Sequence, residues 1–165
     1  METTIDINFK YTEKEYASAV KWYYMKSYRI VFDFIVAIIL IIIGSFLQFS
    51  NPKSVINMFI VVTGVLFLLI LIFAIYINPK RIFRSEPKFK DEYFLSFSNE
   101  GIAFKTEHIN SNLQWNHYVK FSESKEFYYL VYGRFMFTII PKRAFVNKSN
   151  EEEFKKLLID KIKVE

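Results

Sequence analysis

Cysteine is absent from this chain of 165 residues, and its absence excludes several kinds of chemistry. Without Cys the chain cannot form disulfides, use a thiolate nucleophile or hold zinc through sulfur ligands. Glycine is also scarce. The four glycines, at positions 44, 64, 101 and 133, are too scattered to form a phosphate-binding loop.

Motifs typical of enzymes are missing as well. His108 and His117 do not show the HExxH spacing of a zinc protease, and no serine has the GxSxG setting of a hydrolase nucleophile. The acidic run from Glu151 to Glu153 is typical of a helix start, where negative charge complements the helix dipole. We therefore expect no enzymatic activity, no cofactor and no metal site.

Charge is unevenly distributed along the chain. Hydrophobic residues make up 52% and charged residues 24%, so the apolar residues must be concentrated in blocks. The net charge of +5 is modest. In a membrane protein such a balance is typical of cytoplasmic loops that face anionic lipid, and we expect no nucleic-acid binding.

Two charge-free runs predict a transmembrane hairpin. No charged residue occurs from residue 34 to 52 or from 54 to 79, and each run is long enough to cross a membrane. The predicted helices cover about residues 31–49 and 55–77 within a hairpin region of residues 30–78. The first run begins too far into the chain for a cleaved signal peptide and leads directly into the second.

Basic residues flank the hairpin on both sides and predict its orientation. Lys21, Lys26 and Arg29 precede the first run, and only Lys53 lies in the connecting turn. Five basic residues follow the second run: Lys80, Arg81, Arg84, Lys88 and Lys90. Since basic residues resist translocation, we expect a multi-pass protein of the cell (inner or plasma) membrane with both termini in the cytoplasm.

Three residues within or beside the spans suggest specific contacts. Gly44 and Gly64 are small enough to let the two helices approach closely, and we interpret both as helix-packing residues. Asp33 lies at the cytoplasmic end of the first span, four residues after Arg29. An interfacial salt bridge between Asp33 and Arg29 is therefore expected.

Residues 1–29 predict a strand followed by an amphipathic interfacial helix. Apolar and polar residues alternate from Ile5 to Tyr11, and Thr12 with Glu15 forms a capping box at a helix start. Aromatic residues then precede the first span, as in an interfacial belt. We expect the strand to join the C-terminal sheet at its edge, because nothing else cytoplasmic would cover its apolar face.

Residues 88–165 predict an antiparallel β domain closed by a helix. About five short aromatic strands are followed by an apolar-striped helix that Ser149 would cap. A two-residue Gly133-Arg134 turn would set Leu130 opposite Phe137 and Tyr128 opposite Ile139. The expected class is a membrane helical hairpin with an α+β soluble domain, built as an antiparallel sandwich or partly closed barrel with a C-terminal capping helix.

Several segments of this chain resemble the YcxB-like family of bacterial membrane proteins. The resemblance is carried by FKYTEKEY near the start, the paired spans, the FSNEGI turn, the LQW strand, YYLVYGRFMFTIIPKRAF and the EFKKLL helix. It implies a cytoplasmic domain similar to pleckstrin-homology domains on a two-helix anchor. The turn from Ser98 to Gly101 is acidic, however, and lacks the basic cluster that would hold an inositol phosphate.

The candidate contacts for lipid or a partner are basic residues. They are the five residues that follow the second run, together with Lys142 and Arg143 after the last predicted strand. We expect a non-enzymatic, membrane-anchored interaction module that binds a protein partner or, nonspecifically, anionic lipid headgroups. Two alternatives stay open: an immunity protein against a bacteriocin or secreted toxin, and an accessory subunit of a transporter.

Overall fold

The computed structural model describes residues 4–133 and 136–164, which fall into two units. We call Met1–Ala19 together with Phe83–Glu165 the sheet unit, and Val20–Ile82 the hairpin unit. The elements in chain order are β1 (Ile5–Lys10), α1 (Glu13–Lys26), α2 (Tyr28–Ser50), α3 (Val55–Ile72), α4 (Asn78–Ser85), β2 (Glu92–Phe97), β3 (Ile102–Lys105), β4 (Asn110–Leu113), β5 (Lys120–Glu123), β6 (Phe127–Gly133), β7 (Met136–Pro141), α5 (Lys148–Lys161) and β8 (Lys163–Val164).

The sheet unit contains two four-stranded sheets. Their strand orders are β1-β2-β3-β4 and β7-β6-β5-β8. Every pair is antiparallel except the short β5–β8 pair, which is parallel. The predicted α+β class with antiparallel sheets is therefore confirmed, whereas the described strands form no closed barrel.

Strand β1 completes the first sheet from the opposite end of the chain. It pairs with β2, with Ile7 opposite Leu95, and occupies the sheet edge as predicted. Its alternate residues are buried, so one face contributes to the core. The Thr12 capping box is confirmed, since the Glu15 carboxylate accepts from the Thr12 N–H at 2.9 Å and the Thr12 hydroxyl accepts from the Glu15 N–H at 3.2 Å.

Helix α5 supplies the apolar stripe that was expected to cover the sheets. Phe154 and Leu158 are fully buried. The Phe154 ring lies 4.6 Å from the ring of Phe97 in β2 and 5.3 Å from that of Tyr128 in β6, measured between centroids. This helix therefore contacts both sheets, and its burial holds them in one core.

Two details of the sheet unit differ from expectation. Tyr128 pairs with Ile140 and Leu130 with Thr138, one residue away from the predicted register. Gly133, which was predicted in the turn, is the last residue of β6 and pairs with Met136, and a bulge between Val131 and Gly133 leaves one residue unpaired. Arg134 of the predicted turn lies outside the described residues.

The second difference concerns the start of α5. The helix is capped by Asn147, whose side chain accepts from the Asn150 N–H at 2.8 Å, and not by Ser149. Asn is as good an N-cap as Ser, and its earlier position makes the helix two residues longer at its start.

Two helices that lie mainly in the hairpin unit are long and apolar enough to cross a membrane. They are Tyr28–Ser50 and the run Val55–Ser85, in which α3 continues through a π-helical turn, Phe73–Ile77, into α4. A β-carbon added to Gly44 would lie 2.9 Å from Val61 Cγ2, and one added to Gly64 would lie 3.0 Å from the Ile41 backbone nitrogen. The two helices therefore approach closely where both residues are glycine.

The expected salt bridge of Asp33 is not formed. Asp33 is half-buried and Arg29 exposed, and no ion pair joins these two described residues. An exposed ion pair gains little Coulomb energy and loses the conformational entropy of two side chains. A four-residue spacing alone therefore does not produce a salt bridge.

Candidate functional site

The basic segment that follows the second apolar run is divided between the two units. Lys80 and Arg81 belong to the end of the hairpin unit, and Arg84, Lys88 and Lys90 belong to the sheet unit. All five residues are exposed. Exposure alone does not make them available to a ligand, so their partners within the chain decide what each can contact.

The three basic residues in the sheet unit already have partners. Arg84 donates two hydrogen bonds to the carboxylate of Glu13, both of 2.8 Å. Lys90 Nζ donates to the Arg84 carbonyl at 2.9 Å. Lys88 Nζ lies 3.9 Å from Glu86, a weak exposed pair. These contacts fasten the chain between α4 and β2.

Lys80 and Arg81 are in a different situation. Among the described residues neither has an ion-pair partner, and both side chains are exposed. Their ammonium and guanidinium groups therefore keep their full set of donors for an external anion. Of the five basic residues, these two offer the most freely available positive charge.

Lys142 and Arg143 are brought into internal ion pairs. Lys142 Nζ contacts Glu123, and it lies 3.5 Å from Glu151. Arg143 forms a two-pronged pair with Glu15 and also donates to the Lys10 carbonyl at 2.9 Å. The hydrogen bond from Arg143 is the largest cause that lowers the pKa of Glu15 to about 2, and hydrogen bonds from Thr12 add to it. Both cations connect elements of the sheet unit.

The turn between β2 and β3 is stabilised by the hydroxyl of its own first residue, Ser98. The Ser98 side chain accepts from the N–H groups of Glu100 and Gly101, each at 3.3 Å. The turn carries a carboxylate and no basic residue, so these N–H groups are not directed to an outside phosphate. This turn therefore does not form a basic pocket for a phosphate group.

Sequence reasoning missed one polar cluster in the sheet unit. His108 Nδ1 lies 2.7 Å from Asp91 Oδ2, and the Asp91 side chain is buried. The hydrogen bond with Asp91 raises the pKa of His108, and the same bond lowers the pKa of Asp91. Glu107 completes a group of three potential metal ligands whose atoms lie within 4.8 Å of one another.

The ion pair between Asp91 and His108 accounts for this geometry by itself. The hydroxyl of Thr106 accepts from the His108 N–H at 3.2 Å and from the Ile109 N–H at 3.1 Å, which fixes the turn that carries the imidazole. No spacing motif could have revealed the pair, because the carboxylate is 17 residues away in the chain. The cluster joins the start of β2 to the β3–β4 turn.

Comparison with known proteins gives one match, to a family model that covers part of the chain. Residues 97–158 match the family model described as YcxB-like protein, from the last residue of β2 into α5. No curated protein and no solved structure matches the chain. The matched segment contains β3 to β7 and most of the helix that covers both sheets. This segment is therefore similar to the YcxB-like family, the family that several segments of the sequence resemble.

Proposed function

We propose that this protein is a membrane-anchored interaction module in which basic residues at the end of the hairpin unit hold the cytoplasmic sheet unit close to the anionic membrane surface. The observation that carries the proposal is the exposure of apolar side chains in the hairpin unit. Phe46 and Phe59 are each 70% exposed, whereas Phe97 and Phe154 of the sheet unit are fully buried. Exposure of so much apolar surface to water is unfavourable, and the hydrocarbon core of a bilayer would cover it.

The pairing of β1 with β2 supports a hairpin that returns to its starting side. These strands lie on either side of the two apolar helices in the chain, yet they are neighbours in one sheet. In a membrane this pairing requires an even number of crossings between them. The basic residues on both flanks then favour the cytoplasmic side for the sheet unit.

The arrangement of the sheet unit supports a pleckstrin-homology-like domain. Two mainly antiparallel sheets covered by a C-terminal helix match what the family resemblance implies. The proposed contact with lipid does not use a headgroup pocket of such a domain. It uses Lys80 and Arg81, which follow the apolar run directly and lie where anionic headgroups attract about 1 kcal/mol per basic residue.

The proposal is tested with the full chain reconstituted in vesicles. A fragment that begins at Lys80 would lack β1 and leave β2 without one of its two neighbouring strands, so it is unsuitable. A fluorophore on Cys introduced at Val146, which is 84% exposed, reports proximity to an acceptor at the lipid surface. We expect energy transfer to rise with the anionic fraction, to be equal for phosphatidylglycerol and phosphatidylserine, and to fall with salt.

Matched variants separate the effect of the basic segment from the effect of the total charge of the protein. Lys80→Gln with Arg81→Gln should reduce the response to anionic lipid, while Lys105→Gln with Lys125→Gln removes the same charge at exposed sites elsewhere and should reduce it less. A strong preference for one headgroup at equal charge, or indifference to salt, would overturn the electrostatic contact. Indifference to anionic lipid would overturn it too, and would direct attention to a protein partner.

A further inference from the structure

The hairpin unit contains a groove that the nonspecific contact described above does not use. It measures about 440 Å³ and is lined by Met25 of α1, Phe34 of α2, Ile72 of α3 and Tyr76 of the π-helical turn. This volume is within the range of small-molecule sites, and the lining side chains are apolar apart from one phenol hydroxyl. Its chemistry suits a hydrocarbon chain.

A positive charge lies at the rim of this groove. Lys21 Nζ is 4.5 Å from the centroid of the Tyr76 ring, a cation–π distance. Lys21 is exposed and precedes Met25 by four residues, so both lie on the same face of α1. The groove therefore combines an apolar floor with an ammonium group at one edge.

The backbone at the groove departs from a regular α-helix. The Asn78 N–H donates to the Phe73 carbonyl five residues earlier, which closes the π-helical turn. Such turns are rare and are often found at functional sites. This turn contains Tyr76 and begins directly after Ile72, so two of the four lining residues depend on it.

We infer that this groove binds one anionic phospholipid, with an acyl chain against Met25, Phe34 and Ile72 and its headgroup at Lys21. The inference rests on the proposed membrane insertion of the hairpin unit. It differs from the contact at Lys80 and Arg81 because it requires one defined position for the lipid. The charge at the rim selects an anionic over a zwitterionic headgroup.

The test uses the full chain in phosphatidylcholine vesicles that contain a trace of photoactivatable lipid. One preparation receives phosphatidylglycerol with a diazirine in its acyl chain, and the other receives phosphatidylcholine with the same group. After irradiation, labelled peptides are mapped by mass spectrometry. We expect phosphatidylglycerol to label the segments around Met25, Phe34 and Tyr76 about five-fold more than phosphatidylcholine does, the ratio that one basic residue near anionic lipid provides.

Three variants make the outcome specific. Lys21→Gln should remove the preference for phosphatidylglycerol, and Met25→Trp should reduce labelling by filling the groove without changing charge. Arg29→Gln removes a charge from an exposed position of the same unit and should leave the preference intact. Equal labelling by the two lipids, labelling spread evenly along α2 and α3, or equal effects of Lys21→Gln and Arg29→Gln would each overturn the inference.

Failure of the inference is distinguishable from failure of the proposed function. Alkaline extraction of the same vesicles shows whether the chain is inserted. A chain released by alkali contradicts the membrane anchor and the groove together. A chain that resists alkali but shows even labelling contradicts the groove alone.

Discussion

Arg143 and Glu15 form a two-pronged ion pair that joins the turn after β7 to the first turn of α1. The pair connects residues that lie on either side of the two apolar helices in the sequence. Arg143 also donates to the Lys10 carbonyl at 2.9 Å, so the end of β1 is held by the same guanidinium. This contact and the β1–β2 pairing attach the N-terminal segment to the rest of the sheet unit.

Replacing Glu15 by Gln should destabilise the sheet unit in a pH-dependent way. Gln can still accept in the capping box, so the substitution removes mainly the ionic pairing. The pKa of Glu15 is about 2, against an ordinary value of 4.5. Its stabilisation is therefore fully present above pH 4.5 and is lost as pH falls toward 2.

The expected loss at neutral pH is about 1 kcal/mol, reduced from that of a buried pair because Arg143 is half-exposed. Urea denaturation followed by near-ultraviolet circular dichroism measures it. Glu13→Gln, which breaks the more exposed pair with Arg84, should cost less. An equal loss in both variants, or a Glu15→Gln effect that persists near pH 2, contradicts this account.

Replacing Asp91 by Asn should lower the pKa of His108. The raised His108 pKa means that its stabilisation is complete below 6.5 and is lost as pH rises through the value in the folded state. The lowered Asp91 pKa means that its stabilisation is present above 3.8 and is lost in acid. The pair therefore stabilises the sheet unit most between these two values.

A nuclear magnetic resonance titration of the His108 ring measures the shift. In the Asp91→Asn variant the midpoint should move down toward the ordinary histidine value. Glu107→Gln should move it less, because the hydrogen bond with Asp91 is the main cause of the raised pKa. A larger shift with Glu107→Gln is incompatible with the assigned pair.

A branched side chain at Gly64 should destabilise the helical hairpin. The added β-carbon of Gly64→Val would meet the Ile41 backbone nitrogen at 3.0 Å, and backbone cannot move aside as a flexible side chain can. We expect a cost of about 1–3 kcal/mol, measured by thermal unfolding in detergent. Ser45→Val, at an exposed position of α2, is the matched control and should be nearly neutral.

The proposed topology predicts which positions an impermeant thiol reagent can reach. Single cysteines replace Lys53, in the exposed turn between α2 and α3, and Val146, in the exposed segment before α5. On intact cells the reagent should label position 53 and not 146, and permeabilised cells should show labelling at both. Labelling of position 146 alone on intact cells would reverse the orientation.

Removal of the α5 cap should destabilise the sheet unit. Asn147→Ala leaves the Asn150 N–H without its side-chain acceptor and should cost about 1 kcal/mol. Ser149→Ala changes an exposed residue inside the first turn and should stay within about 0.5 kcal/mol of the original. The free energy of unfolding decides between the two candidates for the cap.

Patterns confined to one element could be predicted from the sequence. The alternation of Ile5, Ile7 and Phe9 and the spacing of Thr12 and Glu15 are local, and both predictions are confirmed. The β6–β7 register was wrong, because Gly133 belongs to the strand and not to the turn, and because the bulge at Tyr132 leaves no local signal in the sequence. The N-cap of α5 was predicted at the wrong residue, because Asn147 and Ser149 are both suitable caps and lie two positions apart.

The ion pairs could not be predicted from the sequence for a related reason. Arg143 was considered a candidate contact for lipid or a partner, yet it binds Glu15 across a large sequence separation. His108 belongs to no recognisable motif in the sequence, yet it pairs with buried Asp91. Side chains distant in sequence become neighbours only through the fold.

The position of β1 in the sheet also determines the order in which the protein can mature. Ribosomes release β1 before either apolar helix exists, whereas its partner β2 is synthesised only after both. In the proposed topology, β1 therefore stays unpaired until the hairpin has inserted and the chain has returned to the same side. If the second helix failed to insert, β1 and β2 would lie on opposite sides of the membrane and the sheet unit would be incomplete, so in this topology insertion precedes folding of the soluble part.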